Sequence, residues 1–141
     1  MNVKFIRLFL MVLFLLPAGL LTACSGTGSG GTKLKGTSWQ VIEINGQAVP
    51  SSLGVTMNFE AEGKAGGKAP CNSYFADYNQ SGEQLTFSMI GSTEMACLDE
   101  GVMELETDFF QSLGQVSRFT LEAESLFMLD EGGNTLLVLT K

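Results

Sequence analysis

The residues with the most chemistry open to them are three cysteines, Cys24, Cys71 and Cys97. A thiol can be acylated, oxidised to a disulfide, bound to a metal or used as a nucleophile. The last two routes narrow at once, because the 141 residues include no histidine. Without it there is no Ser-His-Asp or Cys-His activation and no His-based metal site. The usual general base near neutral pH is missing too. The sequence therefore predicts no catalytic residue, no metal site and no cofactor, and a chain that is not an enzyme. An enzymatic reading would have to use acids such as Asp77 or Glu94 near Asn72, and no acid–base pair stands out.

Cys24 ends the stretch Leu21-Thr22-Ala23-Cys24. Before it lie a start charged by Lys4 and Arg7 and an unbroken apolar run from Leu8 to Leu16. The run is too short for a spanning helix and has the layout of a secretory signal. Small residues before a cysteine match the bacterial lipoprotein signal. Residues 1–23 are read as a lipoprotein signal peptide and Cys24 as the lipidated first residue of the mature chain. An ordinary signal peptide that happens to contain a cysteine is the plainer alternative. Acyl chains contribute about 0.8 kcal/mol per buried CH₂, so several on one cysteine anchor durably to a membrane. Ser25 rather than Asp follows, which in an enteric-type host favours the outer membrane. The expected location is the cell envelope, on the periplasmic face of the outer membrane. Residues 24–32 form the lipidated Cys and a flexible Gly/Ser/Thr tether. Gly26, Gly28 and Gly31 in it fit G-x-G-x-x-G, but no strand precedes them, so no dinucleotide site is read there.

Cys71 and Cys97 remain. An even pair in an oxidising compartment reads as a disulfide. Closing that loop would stabilise by roughly 3–4 kcal/mol in the chain-entropy model. A redox pair would want Cys-x-x-Cys at a helix start, which is absent. Such a bond draws Asn72, Ser73, Thr93 and Glu94 together. Two readings follow. Asn72 and Thr93 brace two loops by bonding nearby backbone, or the four residues form the rim of a binding site on a rigid scaffold.

Charge narrows the partners. Lys plus Arg is 8, Asp plus Glu is 15, and the net is −7. Loss of Lys4 and Arg7 with the signal leaves 6 bases against 15 acids. A nucleic-acid binder would want the opposite sign, so none is expected.

The elements that must position these residues are mostly strands. Thr37 to Ile44 is β-branched and aromatic and is followed by the turn signal Asn45-Gly46. Val55, Met57 and Phe59 alternate with polar residues, as do Tyr74, Ala76 and Tyr78, then Leu85, Phe87 and Met89, then Phe119, Leu121 and Ala123. Ser125 to Leu129 and Thr135 to Leu139 are apolar on both faces. Gly63 to Lys68 is glycine-rich and open between a bent strand and a loop. Leu98, Val102, Leu105, Phe109 and Leu113 form one helical stripe, with Asp99 as its expected N-cap and Gly114 at its C-terminal end. Trp39 shares a strand face with Val41 and is read as core, with a ligand-stacking platform as the other reading. Met57, Met89, Met95, Met103 and Met128 are read as core filler, the other reading being a Met-lined ligand surface. One helix cannot cover both faces of a flat sheet this size. The expected fold is α+β and β-rich, an antiparallel sheet of about seven or eight strands curled into a barrel or half-barrel with one main helix packed against it.

Three blocks carry a family resemblance. They are Leu34-Lys35-Gly36-Thr37-Ser38-Trp39 with Asn45-Gly46, Pro70-Cys71-Asn72-Ser73-Tyr74 with Tyr78, and Ser92-Thr93-Glu94-Met95-Ala96-Cys97. In this order they resemble the META, or HslJ-like, lipoprotein domain family, over residues 33–141. Pro70 stands where the family often has Gly, and Glu94 where a basic residue is common. The resemblance implies a small β-rich fold, no known enzyme activity, and links to stress response, antibiotic resistance, motility or virulence. The functional expectation is a non-enzymatic envelope lipoprotein module that binds a protein, peptide or lipid. The alternative is an inhibitor of a cationic envelope enzyme of lysozyme or protease type.

Overall fold

The computed structural model describes residues 33–141. The expected signal peptide, Cys24 and the expected tether lie outside the described residues.

Strand β1, Ser38–Ile44, turns through Asn45-Gly46 into the two-residue β2, Gln47–Ala48. Asn45 and Gly46 both take positive φ, 48° and 78°, as the tight hairpin turn requires. Strands β3 (Thr56–Phe59), β4 (Lys64–Lys68), β5 (Ser73–Ser81) and β6 (Gln84–Ser92) follow. Helix α1 runs Val102–Gln115, and β7 (Arg118–Glu122), β8 (Ser125–Leu129) and β9 (Thr135–Thr140) complete the chain. All nine strands pair antiparallel in one sheet. Pairing of β1 with β9 closes eight of them into a ring, and β2 hangs on β1 outside it. The expected barrel is present, with one more short strand than foreseen. The glycine-rich stretch is a strand, β4, because β5 pairs with it along its whole length and β3 pairs with Ala65 and Gly66 on its other side.

The ring is weakest between β6 and β7, which share the pair Gln84 and Arg118. Helix α1 packs against β6, β9 and β1. It buries Val102, Leu105, Phe109 and Leu113, and the last three fill the interior with Phe59, Phe119, Leu126 and Leu137. Ser112 Oγ donates to Asn45 Oδ1 at 3.1 Å and ties the helix to the β1–β2 turn.

Several local expectations fail for identifiable reasons. Leu98 is 98% exposed and lies before the helix. Gly101, at φ 78°, occupies the cap position and starts the helix two residues later than expected. Asp99 offers only its backbone carbonyl, to Val102 N–H at 3.3 Å. Gly114 is inside the helix, whose C-cap is Val116. Of the methionines, Met57 and Met128 are core, but Met89, Met95 and Met103 are exposed.

Met89 breaks its alternation because β6 carries a bulge. Asp77 pairs with Ser88 and Phe75 with Gly91, so Met89 and Ile90 together face Ala76. The extra residue reverses the side chain's direction. Met89 takes φ +50°, a left-handed conformation that normally favours glycine, and points outward at 76% exposure.

Tyr74 supplies a pH test of this packing. Its ring meets Phe109 and Phe110 edge-on, and its hydroxyl donates to Thr56 O at 3.1 Å. Burial pushes that hydroxyl far above its ordinary value of 10.0. A pKa higher in the folded than the unfolded chain gives stability that is complete below about pH 10 and is lost as pH rises past it. Unfolding free energy should therefore fall above about pH 10, and less steeply in Tyr74→Phe. Denaturant titrations at alkaline pH check this. A wild-type curve as flat as that of Tyr74→Phe would refute it.

Candidate functional site

Two sites emerge, a polar cluster at one end of the ring and a cleft on its outer wall. The cluster is built on the disulfide between Cys71 and Cys97, whose Cα atoms are 5.9 Å apart. The bond joins the entry to β5 with the segment between β6 and α1. Beside it sits Glu106, a carboxylate only 5% exposed. Its Oε2 accepts from Cys71 N–H at 2.8 Å and Asn72 N–H at 2.7 Å, and its Oε1 accepts from Asn72 Nδ2 at 2.6 Å. Three donors in fixed positions replace the water that a buried carboxylate gives up.

Asn72 is 2% exposed and uses its whole side chain. Nδ2 donates to Glu106 and to Met95 O, while Oδ1 accepts from Thr93 Oγ1 and Met95 N–H, both at 2.7 Å. That fills both donor and both acceptor positions of the amide. Thr93 Oγ1 also accepts from Ser73 N–H at 3.2 Å. The four residues expected to lie together do so, but in two layers. Asn72 is under the surface as a brace, and Ser73, Thr93 and Glu94 are exposed above it. Glu106, the centre of the network, was not singled out in the sequence, although its spacing, four after Val102 and three before Phe109, places it on the helix's buried side. Asp77 serves elsewhere, accepting from Lys64 Nζ at 2.6 Å on the outer wall.

The disulfide spans 26 positions. Reducing it, or replacing both cysteines by alanine, should cost about 3–4 kcal/mol. Urea denaturation with and without reductant measures the loss, and a change below about 1 kcal/mol would contradict a clamping role.

The outer cleft lies across β3, β4 and β5 and measures about 640 Å³. Its floor is Gly66 and Gly67, its walls include Phe75 and Met89 on one side and Asn58 and Glu60 on the other, and Lys64 and Asp77 also line it. Gly66 pairs with both Asn58 and Phe75, so an outward side chain there would sit between them. A Cβ on Gly66 would come within 2.8 Å of Tyr74 O. Phe75 is 64% exposed and its ring leans over Gly91, where a Cβ would lie 2.4 Å from Cζ. Trp39, by contrast, is 3% exposed and belongs to the core.

A ring of antiparallel strands closed by one helix and clipped by a disulfide defines a class of small β-rich domain. The META domain family matches residues 32–141, and the chain belongs to it. Among solved structures, a protein from Burkholderia xenovorans is 25% identical, with a TM-score of 0.63 over 76% of this chain and 82% of that one. A DUF4847 family protein from Bacteroides vulgatus shares the fold at 13% identity, with a TM-score of 0.56 over 76% of this chain and 93% of that one. No curated protein matches the chain.

Proposed function

We propose that the protein is a non-enzymatic lipoprotein of the cell envelope, anchored through Cys24, whose META domain binds a protein or peptide. The observation that carries this reading is the outer cleft, which Phe75 and Met89 both line while largely exposed. Large apolar side chains held in water next to a concavity are the usual mark of a binding surface. A lipid ligand is less well served, because the ring's interior is filled by its own side chains. The non-enzymatic part rests on how the candidate acids are used. Of the expected acids, Asp77 is paired with Lys64 on the outer wall and Glu94 is exposed, while the carboxylate that does lie beside Asn72, Glu106, is consumed by that network.

A second reading, inhibition of a cationic envelope enzyme, is favoured by the acid excess. One experiment separates the readings. Full chain with a photo-crosslinker in place of Phe75 is expressed in its host, and the membrane fraction is analysed by mass spectrometry. The expected result is an acylated Cys24 and one recurrent cross-linked protein. A basic enzyme that the purified chain inhibits supports the second reading. An unmodified soluble chain defeats the anchor, and no recurrent adduct defeats the module.

A further inference from the structure

The outer cleft has a chemistry specific enough to name the kind of partner it takes. Its floor is bare backbone, since Gly66 and Gly67 bring no side chain. That backbone is already bonded, because β4 pairs with β3 on one side and β5 on the other. A ligand cannot add as a strand here and must be held by side chains.

Those side chains fall into two groups. Phe75 and Met89 form an apolar wall, the ring flat and polarisable, the thioether flexible. Met89 is aimed there by the bulge in β6, at a left-handed φ that a methionine adopts only at some cost. Bulges that redirect one side chain are common beside functional sites. Across the floor stands Glu60, exposed, with no bond to its carboxylate among the described residues. Lys64 is matched by Asp77, so the uncompensated charge of the cleft is negative. The whole domain reinforces it, with 6 bases against 15 acids over residues 33–141. Such a field attracts cations and repels anions at long range.

Resting on the binding-module reading, we infer that the Phe75–Met89 cleft docks an apolar side chain of a basic partner segment. The neighbouring Lys or Arg of that segment reaches Glu60. The apolar group covers Gly66 between the wall and Asn58, and the cation sits at the cleft's acidic side beside Glu60.

The test uses the full chain as the host makes it, and fluorescein-labelled amidated peptides alternating Lys with Leu, or Glu with Leu. Anisotropy should show the Lys peptide binding at least about tenfold more tightly, and weakening in about 0.5 M salt. Phe75→Ser and Met89→Ser should each weaken it about five- to tenfold, with thermal unfolding unchanged. Glu60→Lys should do the same by charge alone. Leu98→Ser, at a side chain 98% exposed and outside the cleft, should leave binding as it is. Equal binding of the two peptides, loss only in Leu98→Ser, or no effect of the three cleft variants would overturn the inference. So would binding of neutral lipid vesicles that depends on Phe75. If the inference fails while a recurrent cross-linked partner persists, the module stands and only the chemistry of the cleft is wrong. If both fail, the module falls with it.

Discussion

Replacing Glu106 by alanine should cost about 3–5 kcal/mol of folding stability, since each unsatisfied buried donor costs about 1–3. Three donors converge on this carboxylate, two from the backbone at Cys71 and Asn72 and one from the Asn72 amide. They stay buried beside the disulfide when the acceptor is removed. The more revealing variant is Glu106→Gln, which keeps the shape. Gln has one acceptor oxygen where Glu has two. If that oxygen takes the two backbone N–H groups, the Gln NH₂ is left facing the Asn72 NH₂, donor against donor. Asn72 cannot rotate to relieve this, because its oxygen is held by Thr93 and Met95. The expected cost is about 1–3 kcal/mol, an intermediate value. Urea unfolding of both variants, with m-values compared, decides it. Glu106→Gln as stable as the natural protein would show that the charge and the second acceptor are dispensable.

Trp39→Ala should cost a further, independent 3–5 kcal/mol or so, the range for truncating a large buried aromatic. Trp39 lies on β1, the strand that closes the ring by pairing with both β3 and β9. Its indole N–H donates to Thr37 Oγ1 at 2.7 Å, and Lys141 Nζ lies 5.4 Å from its ring centre. Trp39→Phe should keep roughly half of that stability, since a ring still fills the space while the hydrogen bond is gone. Emission should be blue-shifted and resist acrylamide, because this is the chain's one tryptophan and it is 3% exposed. Ready quenching in the folded protein, or a loss under 1 kcal/mol or so on truncation, would contradict the assignment to the core.

These two residues also show how far a sequence reaches. Trp39 was legible because its burial follows from a local rule. On an alternating strand it shares a face with Val41, and both are buried. For Glu106 a local rule is not enough. Its spacing places it on the apolar side of α1 among Val102, Leu105 and Phe109, but a buried carboxylate needs partners. Its place depends on donors 34 and 35 positions away. The same division holds at Met89. Alternation puts it with Leu85 and Phe87, and a bulge, set by pairing with β5, turns it outward.

The sequence settled most of the elements and a curled sheet with one helix, while strand pairing made β4 a strand and closed the ring through β1 and β9. Periods, turns and cysteine count are local properties that burial of apolar surface converts into a curled sheet with one helix. The sequence also determined the disulfide pairing, because only two cysteines remained for the domain, and it brought Asn72 and Thr93 together through that bond. Tertiary structure alone decided which of those polar residues went under the surface and which side chains faced water. Register, bulges and long-range hydrogen bonds are set by the sum of contacts between strands distant in the chain, and no single segment carries that sum. The cleft over Gly66 is of this kind, since Asn58, Phe75 and Met89 become neighbours only when β3, β4, β5 and β6 are aligned.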